Sequence, residues 1–184
     1  MSKGPVAVIL AIIIIGSIAG YIFYTSYVPG TLTLTITDPP QAPPGNSQQY
    51  DSSITHIYVN VSGFQIHIAG QSDASGWSTM PISTQTVDMM TILNVSKVLG
   101  TMKFSSGKYD SFRFNVTGVT VDFVNTASAS YTVPSGSLKV PIPNGGFQVT
   151  ATSSATVLLT LSFNDNEILK MNGNLTPVAK ATVL

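Results

Sequence analysis

The chain has 184 residues and carries eight Lys and Arg against eight Asp and Glu, for a formal net charge of zero. It contains no cysteine, which excludes a disulfide framework, a thiolate metal site and a Cys nucleophile. Charged residues make up only 9%, where about 25% is usual; eight scattered cations do not form the clustered basic footprint that nucleic-acid binding needs.

The first predicted element is a helix. From Gly4 to Thr37 there is no charge, and Val6 to Val28 is an almost unbroken apolar run. About 20 apolar residues of helix cross the hydrocarbon core of a bilayer, and a helix satisfies every backbone polar group internally there. Residues 1–29 therefore read as one N-terminal transmembrane helix, a signal anchor, and residues 30–184 as a single extracellular domain. Lys3 sets the orientation, because positive flanks stay in the cytoplasm. Tyr21, Tyr24 and Tyr27 recur at the outer end, where aromatic rings favour the headgroup layer. Gly16 and Gly20 form a G-x-x-x-G pair that lets two membrane helices approach closely. Two alternatives stand behind the retained anchor. One is a cleaved signal with its site at Ser17-Ile18-Ala19. The other is a pilin-like leader cut after Gly4, which would make Pro5 the first mature residue.

Thr31 to Thr37 alternates Thr with Leu and Ile, the period of a half-buried strand. Asp38 to Gln49 is a Pro-rich loop, stiff and extended, and Asp38 is expected to fold its side chain back onto the backbone, as Asp does in turns. Ile54 to Ile68 reads as two alternating halves around Gly63, and Tyr109 to Val124 as two halves around Gly118; a glycine inside such a pattern signals a bulge or bend. One segment looks helical, Met89 to Lys103, with Ile92, Val95, Val98, Leu99 and Met102 on one face and Asp88 as its N-cap. Further strands are expected at Ser137–Ile142, Phe147–Ala151 and Ala155–Phe163. A last hairpin joins Glu167–Met171 to Asn174–Val183 through Asn172-Gly173. Many short strands with Gly, Pro and Asn between them indicate an all-β sandwich, immunoglobulin-like or transthyretin-like, with one short helical segment.

The order and spacing of these pieces resemble the family catalogued as domain of unknown function 4382. The pieces are GTLTLTITDPP from Gly30, ITHIYVNVSGFQIHI from Ile54, Trp77-Ser78-Thr79, TVDMMTIL from Thr86, SSGKYDSFRFNV from Ser105, VPSGSLKVP from Val133 and GFQV from Gly146. The resemblance implies an extracellular β-sandwich with no established chemistry. Bacterial members resemble lipoproteins with a lipid-bearing Cys. This chain has none, so that mode of attachment does not carry over.

The residues offer little for catalysis. His56 and His67 are eleven apart, on opposite faces unless Gly63 resets the phase, and two histidines fall short of the three or four converging ligands a metal needs. There is no G-x-S-x-G elbow and no phosphate loop or dinucleotide fingerprint. A calcium site using Asp38, Asp51 or Asp88 is conceivable in oxygen-ligand terms, but no acidic cluster supports it. Trp77 is expected to serve packing. No catalytic residue, metal or cofactor is assigned, no small-molecule substrate is expected, and the chain reads as a non-enzyme.

The remaining positive signal is a set of N-x-S/T sequons at Asn60, Asn94, Asn115 and Asn174, all on the expected outer side, where glycosylation occurs. Two functions remain. The first is a membrane-anchored surface module, a binding or scaffold subunit of an archaeal-type cell-envelope complex, whose partners are the membrane and other envelope proteins or copies of itself. The second is a filament subunit. In it the helix is removed, and the strand carrying Leu32, Leu34 and Ile36 is added to the sheet of the next copy. The hydroxyl-rich, charge-poor surface adds an expectation of an acidic or hot exterior, since eight carboxylates give acid little to protonate.

Overall fold

A computed structural model describes residues 4–38, 50–93 and 95–184. The 24-residue helix α1 (Gly4–Tyr27) stands clear of the rest, with its apolar side chains exposed from Val8 onward, and is long and apolar enough to cross a membrane. Only Val28 and Pro29 separate it from strand β1 (Gly30–Thr37).

The β part is a sandwich of two sheets. The four-stranded sheet runs β11 (Val178–Val183), β10 (Ser154–Ser162), β1, β5 (Lys97–Phe104). The seven-stranded sheet is built on two long central strands, β2 (Ile54–Ile68) and β6 (Gly107–Phe123). Strands β3 (Trp77–Thr79) and β4 (Gln85–Asp88) pair with β2, while β7 (Thr126–Tyr131), β8 (Ser137–Pro141) and β9 (Phe147–Val149) pair with β6.

β1 is the middle of its sheet, parallel to β10 on one side and antiparallel to β5 on the other. Its alternation does what the sequence requires: Leu32, Leu34 and Ile36 are fully buried. Its threonines face the other way and bind laterally, Thr33 to the Thr101 hydroxyl at 3.1 Å and Thr35 to the Val157 carbonyl at 3.2 Å.

Bulges explain how the long strands keep one face in the core. Between Ser62 and Gln65, β2 has two residues where β6 has one. Gly63 takes φ +59 there, a left-handed conformation that glycine adopts without steric cost. Before the bulge Ile57, Val59 and Val61 are buried; after it Phe64 and Ile66 are. On β6 the extra residue is Thr117, beside Gly118, and the buried set changes from Phe112, Phe114 and Val116 to Val119, Val121 and Phe123. Both glycines mark bulges as expected. The phase reset also puts His56 and His67 on the same outward face.

Two predicted elements are corrected. Met89 to Lys103 is not a helix: Met89–Ile92 is a single 3-10 turn, and Lys97–Phe104 is strand β5. The misleading spacing comes from another bulge. Leu34 faces Gly100 but Thr35 faces Val98, so Leu99 is an extra residue. Leu99 and Met102, three apart, therefore both reach the core, imitating a helical stripe, while Val95 and Val98 stay more than half exposed. The second correction is Glu167–Met171, which is not a hairpin strand. Asp165–Leu169 forms the short helix α2, with the Asn164 side chain accepting from the Asn166 N–H and Asp165 and Glu167 in its first turn. Acidic side chains there favour the helix N-terminus. β11 pairs with β10 instead. Strands β3, β4 and β7 are additional to those expected.

Phe64 and Phe114 stack at 5.6 Å between centroids at the centre of the core, each almost wholly buried. Phe114→Ala is expected to lower unfolding free energy by about 3–5 kcal/mol, and Val98→Ala by under about 0.5 kcal/mol, both read by chemical denaturation. A small loss at Phe114 would mean that the strand faces are phased wrongly.

Candidate functional site

The polar chemistry of the domain gathers in three clusters and one junction. The first cluster lies on the outer face of the larger sheet. β2 and β3 pair so that His67 lies opposite Trp77, and β6 and β8 so that Arg113 lies opposite Lys139. The nearly buried His67 places Nδ1 2.8 Å from the Asp110 carboxylate and Nε2 3.2 Å from the Ser72 carbonyl. The Trp77 ring lies 4.9 Å from the His67 ring, and the Arg113 guanidinium sits 4.0 Å over it, a cation–π contact. Trp77 Nε1 donates to the Asp73 carbonyl at 2.9 Å, and Lys139 bonds the Asp73 carboxylate at 2.6 Å. That bond holds the Asp73 carboxyl below its ordinary range. Gly76 is required here, since a Cβ would lie 2.5 Å from His67 Nε2. Trp77 is thus already covered by protein groups, in line with the packing role expected for it.

The second cluster pairs His56 Nδ1 with Asp88 at 2.7 Å and stacks the imidazole on Tyr58 at 5.4 Å. Asp88 also accepts from the Met90 N–H at 3.1 Å, so it caps the 3-10 turn instead of the helix expected. Among the described residues no Ser or Thr hydroxyl is hydrogen-bonded to either imidazole, and no three His, Asp or Glu side chains converge to hold a metal. The Asp38, Asp51 and Asp88 calcium arrangement does not assemble.

The third cluster closes the end of the sandwich away from α1. The turn that follows Asp38 lies outside the described residues. Asp38 itself is buried, and its carboxylate accepts from the Tyr50 hydroxyl at 2.8 Å, while the Tyr50 oxygen accepts from the Phe163 N–H at 3.4 Å. Burial pushes the Asp38 carboxyl up from 3.8 to about 6, against the lowering effect of the Tyr50 bond and with a smaller push from Asp165. Burial and the neighbouring Asp38 charge likewise drive the Tyr50 phenol upward. Asp165 accepts from the Asp51 N–H at 3.0 Å.

The junction joins helix to domain. Tyr24 shares a hydrogen bond with the Thr152 hydroxyl at 3.1 Å, and Ser106 donates to the Val28 carbonyl at 3.2 Å. The Thr31 N–H donates to the Ser153 carbonyl at 2.7 Å. Gly16 and Gly20 have nothing within 4 Å, so that helix face is open. Leu32, Leu34 and Ile36 are in the core between β5 and β10, not at a free edge. Of the sequons, Asn174 is exposed. Asn60 and Asn115 are half-buried on the outer face, with Asn60 accepting from the Thr86 hydroxyl at 2.6 Å. Asn94 lies outside the described residues. A shallow groove of about 260 Å³ is lined by Pro143, Asn144, Gly146, Phe147, Thr182 and Val183.

A family model described as Domain of unknown function (DUF4382) matches residues 29–177. The chain belongs to that family. The match begins where α1 has ended and stops before β11, so it covers all of the sandwich but its last strand and leaves the helix outside. No curated protein and no solved structure matches the chain.

The raised Asp38 carboxyl gives a pH dependence with a definite sign. The fold favours its neutral form, so its contribution is complete below pH 3.8 and is lost as pH rises through about 6. The loss is expected to be about 2 kcal/mol once solvent screening is allowed for. Asp38→Asn should flatten this part of the profile, as measured by denaturation between pH 3.5 and 7.5. Equal pH slopes in the two proteins would refute the assignment.

Proposed function

We propose that this chain is a non-enzymatic surface module held to the cell membrane by α1. The N-terminus lies in the cytoplasm, and the sandwich lies outside as a binding or scaffold subunit of an archaeal-type envelope complex. The observation that carries the reading is the junction: a helix exposed along its apolar length runs, through two residues, into the central strand of the domain. A helix that is apolar all round needs burial in lipid, and a linker this short keeps the sandwich at the bilayer surface. The hydrogen-bonded His–Asp pairs, without a hydroxyl nucleophile attached, favour a structural role over hydrolysis.

Ile14→Lys puts a charge near the middle of the helix and is expected to cost about 3 kcal/mol of membrane insertion. The variant should shift from the membrane pellet to the soluble or degraded fraction, while protease added outside intact cells should remove the wild-type domain. A variant that stays wholly membrane-bound would defeat the anchor.

The filament reading keeps one supporting observation. β1 fills the centre of its sheet, so a copy whose own β1 was withdrawn would offer a slot for the Leu32, Leu34 and Ile36 strand of a neighbour. Intact mass and N-terminal sequence distinguish the two. A native chain beginning at or near Met1 supports the anchor; a polymer whose chains begin between Gly20 and Gly30 supports the filament.

A further inference from the structure

The ends of the sandwich differ in charge. The end beside α1 can be traced from the register: β1 starts at Gly30 opposite Phe104 at the finish of β5, β10 starts at Ser154, and β6 starts at Gly107. The segments that meet there are residues 28–33, 68–76, 101–110, 142–156 and 181–184, and their charged side chains are Lys103, Lys108, Asp73 and Asp110. Both lysines are exposed, and neither meets a carboxylate among the described residues. Lys103 bonds only the Thr31 hydroxyl, at 2.9 Å. Asp73 and Asp110 are engaged by Lys139 and His67. The opposite end carries Asp38 after β1, Asp51 before β2, Asp122 at the close of β6, and Asp165 and Glu167 in α2, against Lys97 at the start of β5 and Lys170 after α2, so acids outnumber bases there.

We propose that the α1 end of the sandwich docks onto the membrane surface, with Lys103 and Lys108 set against the phosphates of anionic lipid headgroups. The inference rests on the anchored reading above and names what the module touches. Two independent features carry it. The Tyr24–Thr152 and Ser106–Val28 hydrogen bonds pin the Ser105–Ser106 and Thr150–Ser153 turns against the last turn of the helix, the level at which a membrane helix meets headgroups. Asp73 and Asp110 are paired with Lys139 and His67, so the charge left over there is that of Lys103 and Lys108; it complements those groups, each lysine being attracted to a headgroup phosphate. The acidic end points away from the same negative surface, so the domain's own field favours this orientation.

The test uses the full chain in lipid nanodiscs of zwitterionic lipid, with and without an added anionic lipid, read by amide hydrogen exchange. Exchange in the Ser105–Gly107 and Thr150–Ser153 turns should be about tenfold slower in anionic discs, while the distal turn at Asn125 should not respond. The double variant K103E/K108E should abolish the difference, and K103Q/K108Q should reduce it. The Asn125 turn and the β2–β6 amides report that each variant is folded. Equal exchange in both kinds of disc, or a response that survives charge reversal, would overturn the docking while leaving the anchor intact. A chain that does not enter the discs would overturn both.

Discussion

Strand β1 has two obligations at once. It is the covalent continuation of the apolar helix, and it is the central strand of the smaller sheet, hydrogen-bonded on both sides. Its Leu32, Leu34 and Ile36 belong to the same buried cluster as Phe64 and Phe114 of the larger sheet. A central strand leaves no backbone group free to rotate, since each amide is committed to β5 or β10. The start of the domain is therefore set by sheet pairing, and Val28 and Pro29 keep it within a few ångströms of the helix end.

The polar clusters are subordinate to that frame. The register shift between His67 and Ile68 leaves Asp110 as an extra residue of β6, which brings its carboxylate to His67 on the outer face that Arg113 also occupies. Their side chains then satisfy one another, and the described residues contain no buried polar atom without a partner. Such closure makes the clusters rigid. The buried Asp38 carboxyl differs in that it favours its protonated form.

What could be read from the sequence was local. The apolar run, the Thr-Leu alternation of β1 and the glycine-marked bends in β2 and β6 are all set by neighbours within a few residues, and the structure has them where expected. The Leu99 bulge shows the limit: an inserted residue turns a period of two into an apparent spacing of three, which only the partner strand reveals. Asn164 and Glu167 hold a cap spacing that marks α2, but the Asn172-Gly173 pair is an equally local hairpin signal. The parallel pairing of β1 with β10 joins segments more than 120 positions apart, and nothing local encodes it. The same holds for Asp38 meeting Tyr50 and for the end beside α1, whose segments are gathered only by the register.

The parallel arrangement of β1 and β10 has a mechanical consequence. If a partner pulls the far end of the sandwich away from the cell, the helix holds β1 by its first residue, and the load runs along the strand axis. The rungs from Thr31–Ser154 to Thr37–Thr160, and those to β5 on the other side, then bear the tension together in shear, instead of opening one after another like a zip. Rupture under force is set by the rate of crossing the unfolding barrier, and a barrier that requires many bonds to fail at once is crossed slowly. In the anchored arrangement proposed above, the strand that joins helix to domain is thus also the tether under strain.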